Sequence, residues 1–191
     1  VLLMTAVFLS TIYSGNVNAA AKKKTVILYF SATGTTKSVA QKIRKATKGK
    51  LIEIEAADPY TDDDLDYSNR RSRVSREHAA ASSPAVSSIR PDIANTRQIK
   101  KAVKNADIVY IGYPIWWGEA PHIMYSLVEN VSLKGKTVFP FNTSASSGTG
   151  SSSDHLKDHA IISKKTNWKN GKSFYGTSSQ KTVNKWIKTI K

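Results

Sequence analysis

The chain has 191 residues, 40% hydrophobic and 23% charged, with 29 lysines and arginines against 14 acids and a formal net charge of +15. That length suits one domain of ordinary size with a well-buried core. The absence of cysteine excludes disulfides, iron–sulfur ligation, thiolate zinc sites and cysteine nucleophiles.

Val1–Ala21 carries no charged residue, opens with VLLMTAVFLSTIY and closes on the small-residue run Val17-Asn18-Ala19-Ala20-Ala21. It reads as the apolar region and cleavage site of a signal peptide, cut near residues 19–21, ahead of a domain spanning 22–191. The expected protein is therefore exported, extracellular or associated with the cell envelope. An uncleaved membrane anchor is the alternative, although a run of about a dozen apolar residues is short for a bilayer span.

Thr25–Phe30 is a continuous β-branched and aromatic run, as expected of a central parallel strand covered on both faces. Ser31–Thr36 interrupts it, and Val39, Ala40, Ile43 and Ala46 then recur at helical spacing until Gly49. Leu51–Glu55 alternates and reads as a more exposed strand near a sheet edge. From Ala56 to Asn95 periodicity is lost, and the segment reads as a long loop. A helix carrying Ile99, Val103 and Ala106 leads into a buried strand over Asp107–Tyr113. Pro114–Pro121 is a loop, Ile123–Val131 a helix and Thr137–Asn142 a strand. After the Ser, Thr and Gly run Thr143–Ser153 come a short helix over 154–162, an irregular fifth strand over Trp168–Tyr175 and a last helix over Ser178–Ile190. This alternation predicts an α/β fold, a doubly wound open sheet of five mostly parallel strands in the order 2-1-3-4-5. In such sheets ligands sit beyond the carboxyl ends of the strands, which directs attention to the loops after strands 1, 3 and 4.

The first of those loops offers Ser31, Thr33, Gly34, Thr35 and Thr36 and runs straight into a helix N-terminus, where free N–H groups and the dipole favour an anion. It has neither a Walker lysine nor the GxGxxG spacing, and its length suits one terminal phosphate. Simple helix capping is the other reading of these hydroxyls. Charge is uneven along the chain. Residues 22–50 hold nine bases and no acid, 51–69 hold seven acids and no base, and 134–191 hold eleven bases and two acids. Such a field draws polyanions or anionic surfaces; no nucleic-acid-binding signature accompanies it, and nucleic acid is not expected as a partner. His78, His155 and His159 fall in no ligand spacing, so no metal is expected, and His122 starts a helix that it can cap.

Tyr29-Phe-Ser-Ala-Thr-Gly-Thr-Thr36 resembles the phosphate loop of flavodoxins. Gly112-Tyr-Pro-Ile-Trp-Trp-Gly118 resembles the flavin-flanking loop of short-chain flavodoxin-like proteins, and Phe141-Asn-Thr-Ser-Ala-Ser-Ser-Gly148 resembles their third loop. The likeness runs from about Thr25 to the C-terminus, with the three motifs in order. It implies FMN as cofactor and no catalytic side chain. Ser31, Thr33, Gly34, Thr35 and Thr36 would cradle the phosphate. Pro114, Ile115, Trp116, Trp117 and Gly118 would line one side of the isoalloxazine, with at most one tryptophan stacking. Thr143, Ser144, Ala145, Ser146 and Gly148 would approach the pyrimidine edge and ribityl chain, although Ala145-Ser-Ser147 departs from the family's glycine-rich form. The stretch Asp66-Tyr-Ser-Asn-Arg70, with Ser72 and Glu77 beyond it, also resembles the family, and Tyr67 or Asn69 is placed to cover cofactor or substrate.

The resemblance implies an electron carrier that meets a redox partner protein, an acidic one on net charge, or an anionic cell envelope. Two alternatives stand beside it: a small FMN-dependent NAD(P)H or quinone reductase, and a cofactor-free envelope-binding protein on the same fold.

Overall fold

Thr25–Tyr29 forms β1, and four of its five residues are buried because helices cover both faces of the sheet around it. The computed structural model describes residues 23–80, 83, 85–161 and 165–190, so the expected signal peptide lies outside the described residues. After β1 come α1 (Thr35–Thr47), β2 (Lys50–Glu53), a single 3-10 turn (Asp63–Leu65), α2 (Arg73–Ala79) and α3 (Thr96–Lys104). The chain continues through β3 (Ile108–Pro114), α4 (His122–Asn130), β4 (Thr137–Thr143), α5 (Ser152–His159), β5 (Asn167–Trp168), β6 (Lys172–Phe174) and α6 (Gln180–Thr189).

Every strand pair is parallel, and the order is β2-β1-β3-β4-β5 with β6 also pairing β4. That is the expected 2-1-3-4-5 order with one correction at the edge. The fifth strand is two pieces, β5 against Thr137–Val138 and β6 against Phe141–Thr143. Pro140 explains the gap. Lys169 N–H donates to the Val138 carbonyl (2.9 Å) and Ser144 N–H to the Phe174 carbonyl (3.1 Å), so even-numbered positions of β4 face this edge. Pro140 falls between them and has no N–H to give.

The sheet separates two apolar clusters. Val26, Leu28, Val109, Ile111 and Val138 pack towards α3 and α4, whose Ile99, Val103, Ile123 and Leu127 are buried against them. Ile27, Tyr29, Tyr110, Phe139 and Phe141 pack towards α1 and α6 through Val39, Ile43, Val183 and Trp186. Odd and even positions of the strands therefore serve opposite layers. The starts of α6 and α2 are both capped by serine: Ser179 Oγ accepts from Thr182 N–H and Ser72 Oγ from Ser75 N–H.

A second correction concerns 56–95. The segment is tied down at both ends by an antiparallel bridge between Ala56 and Ile93, and it contains the 3-10 turn and α2. Helix α2 buries only Val74 and Glu77, so one apolar position in two turns left no periodic signal to read.

Candidate functional site

At the carboxyl end of β1, Gly34 takes the left-handed conformation (φ 81°) that opens α1. A Cβ added there would meet nothing within 4 Å, so the loop's outer face is open. Ser31 Oγ accepts the Lys37 N–H (3.1 Å), and Thr33 Oγ1 and Thr35 Oγ1 stand 3.2 Å apart on the exposed side. Thr36 turns inward and is buried, with its Oγ1 2.7 Å from Thr143 Oγ1 at the end of β4. One hydroxyl thus joins the first loop to the third.

The second loop leaves β3 at Pro114. Ile115 N–H donates to the Thr143 carbonyl (2.9 Å), and Trp116 and Glu119 exchange two backbone hydrogen bonds of 2.9 Å each. Between them Trp117 (φ 52°) and Gly118 (φ 82°) are both left-handed, the pattern of a tight primed turn. Such a backbone costs a tryptophan about 1–2 kcal/mol, and it sends the adjacent rings apart. Trp116 leans edge-on against Phe30 (5.7 Å) and Tyr60 (5.3 Å). Trp117, half exposed, stacks flat on His78 of α2 at 4.4 Å and 5° and touches Tyr67 at 5.4 Å.

The third loop is held by Asn142 Nδ2 on Thr149 Oγ1 (3.0 Å) and Ser144 Oγ against Ser147 Oγ (3.1 Å). Gly150 packs over the Gly118 carbonyl, so the second and third loops touch.

These loops enclose a cleft of about 530 Å³, within the range of small-molecule sites. Of the residues singled out from the sequence, Thr33, Thr35, Pro114, Ile115, Trp116, Thr143, Ser144 and Ala145 line it. Ser31, Gly34, Thr36, Trp117, Gly118, Ser146 and Gly148 do not. Tyr67 does line the cleft, and Asn69 instead caps Arg71 N–H (2.9 Å).

Leu65, Tyr175, Gly176 and Thr177 complete the wall and were not singled out. The last three follow β6, at a strand's carboxyl end, and the run Tyr-Gly-Thr-Ser-Ser was the available signal. A Cβ on Gly176 would come 2.7 Å from Thr35 Cγ2, so this turn closes tightly over the start of α1. Among the described residues, those lining the cleft include no acid, base or histidine. The arrangement suits a flat, amphipathic ligand with one anionic end.

Behind Trp116 lies a buried polar cluster. Glu77 accepts from Tyr60 OH (3.0 Å) and from Arg73 Nε (2.9 Å), with His122 Nδ1 3.7 Å away. Burial, reinforced by Arg90 and His78, pushes His122 down to about 4. Glu77 does not reverse this, since its charge is already shared by Arg73 and Tyr60. His122 is thus a buried partner in the interior; the helix cap itself falls at Pro121.

A family model described as flavodoxin matches residues 24–190. The chain belongs to the flavodoxin family. A Bacteroides eggerthii protein assigned to the flavoproteins is 41% identical; the match covers 88% of this chain and 98% of that one, with a TM-score of 0.74. A second such protein, from Bacteroides uniformis, is 37% identical over 87% of this chain and 98% of its own, with a TM-score of 0.75. A Lactobacillus acidophilus flavoprotein solved in complex with FMN shares the fold at 23% identity and a TM-score of 0.54, covering 86% of this chain and 99% of that one. No curated protein matches the chain. In this flavodoxin the site's three motif-bearing loops meet at one cleft, and the turn after β6 forms its fourth side.

Proposed function

We propose that this flavodoxin binds FMN in the cleft and carries electrons between redox partner proteins outside the cytoplasm. The observation that carries the reading is the convergence of Thr33, Thr35, Trp116 and Thr143–Ala145 on one cleft at the carboxyl ends of β1, β3 and β4. The residues present fit the cofactor. Gly34 leaves the mouth of the first loop open, and the hydroxyls of Thr33 and Thr35 flank it. Pro114, Ile115, Trp116 and Leu65 supply an apolar wall, and Tyr67 and Tyr175 are exposed aromatics at its rim. When bound, FMN supplies reversible redox chemistry of its own. The chain's share is to bind the phosphate, orient the ring and exclude water.

A hydroxyl loop for one phosphate favours FMN over FAD. Titration of apoprotein with both flavins tests this: FMN binds tighter, and equal affinities would overturn the phosphate assignment. A reductase reading draws on segment 56–95, which brings Leu65 and Tyr67 over the cleft where a second substrate would sit. Steady-state turnover with NADH or NADPH alone separates it from the carrier. A colourless protein that takes up no flavin would leave the cofactor-free binding protein. Export rests on the character of Val1–Ala21, and mapping the N-terminus of the secreted protein tests it.

A further inference from the structure

All strands are parallel, so the domain has two unlike ends, and charge is divided between them. The cleft lies at the carboxyl end. At the amino end the chain comes in through Lys23 and Lys24, Lys48 and Lys50 open β2, and Lys134 and Lys136 precede β4. Four helices finish there with bases in their last turns: Arg44 and Lys45 of α1, Lys101 and Lys104 of α3, Lys157 of α5, and Lys188 of α6. Of the fourteen acids only Asp107, Glu129 and Asp158 belong to this end. Asp107 accepts the Lys24 N–H (2.7 Å), and Glu129 is held by Arg90 and His159.

The cations are not spent internally. Among the described residues none of Lys45, Lys48, Lys104, Lys134 and Lys188 forms an ion pair, and all five are exposed. They border two clefts of similar size, one on each side of the sheet. One, about 500 Å³, lies between α1 and α6 with Lys45, Lys48 and Lys188; the other, about 510 Å³, holds Lys104, Lys134 and the exposed Ile161. Inside the sheet, β1 begins at this same end with Thr25.

We propose that this amino-terminal end is a docking face for an anionic phospholipid bilayer, which leaves the cleft pointing away from the membrane. Cations on both sides of the sheet, spread over a whole end of the domain, match an extended anionic plane better than one linear chain lying in a single groove. Each lysine close to such a surface adds attraction, and the effect decays within a Debye length. A redox partner has to approach the opposite end, so membrane and partner do not compete. The inference does not depend on FMN, and its failure would leave the flavin reading untouched.

The test is co-sedimentation of the full chain with vesicles of phosphatidylcholine alone and of phosphatidylcholine mixed with phosphatidylglycerol, at low and high salt. The quadruple variant Lys45→Glu/Lys48→Glu/Lys104→Glu/Lys134→Glu is compared with a cleft-end control of equal charge change, Arg70→Glu/Arg71→Glu/Arg97→Glu/Lys181→Glu. A milder version with the same four lysines changed to Gln serves if the first melts below the wild type. Binding is expected on the mixed vesicles alone, weakened roughly tenfold or more by the lysine variants, less than about threefold by the control, and abolished by salt. Equal losses in both quadruple variants would reduce the effect to net charge and overturn the proposal. So would equal binding to neutral vesicles, or tighter binding to linear polyphosphate than to vesicles at matched phosphate.

Discussion

Thr36 and Thr143 are 107 positions apart in sequence, yet their Oγ1 atoms share a buried hydrogen bond of 2.7 Å. It ties the first turn of α1 to the end of β4, so the loop after β1 and the loop after β4 hold each other in place. Replacing either residue by Val strands the other hydroxyl in the interior, at a cost of about 1–3 kcal/mol. The double Val variant should lose clearly less than the sum of the two singles, which urea unfolding of all four proteins measures. Strict additivity would mean the two hydroxyls are not coupled. Both single variants should also bind FMN more weakly.

Tryptophan emission distinguishes the two adjacent rings. Trp116 lines the cleft, whereas Trp117 stacks on His78 outside it. In holo-protein, Trp116→Phe should remove much of the flavin-dependent quenching and Trp117→Phe little of it. Trp168 and Trp186 supply the same background in both variants. If W117F changes the quenching as much as W116F, the assignment of Trp116 to the flavin is wrong.

His122 makes the fold sensitive to acid. Its pKa falls from 6.5 to about 4 on folding, so the unfolded chain binds the extra proton first. Stability from this group is complete above about pH 6.5 and drains away as pH falls towards 4, by a total on the order of 3 kcal/mol. The groups facing it, Glu77, Arg90 and His78, remain in a His122→Gln variant. That variant should lose less stability between pH 7 and pH 5 than the wild type in urea unfolding. Parallel pH profiles would show that His122 does not carry the effect.

Gly112 faces the fully buried Phe141 on the neighbouring strand, and a Cβ there would overlap the ring. Gly112→Ala should destabilise the domain by about 1–3 kcal/mol through overpacking. A Phe141→Leu change beside it should recover part of that loss, since it clears the ring from the overlap. Thermal melts of the single and double variants check both statements.

The strand and helix alternation was legible from the residues alone, because buried strands such as Ile108–Tyr113 are unbroken apolar runs and α1 repeats its apolar positions every three or four residues. The sheet order followed from that alternation, and the three loop motifs from residue types that only short, polar, glycine-bearing turns carry. Other features needed the tertiary structure. Helix α2 is held by Glu77 on Tyr60 and by His78 on Trp117, and such contacts with distant residues leave no local pattern. The edge strand splits because Pro140, on its neighbour, lacks a donor. Tyr175–Thr177 join the cleft only because β6 lies alongside β4, and Trp116 faces it only because Trp117 adopts a left-handed backbone. Net charge is a property of composition, but its division between the two ends is not. Each lysine's place depends on which way its strand or helix runs, and that direction is set by parallel pairing between segments far apart in the chain.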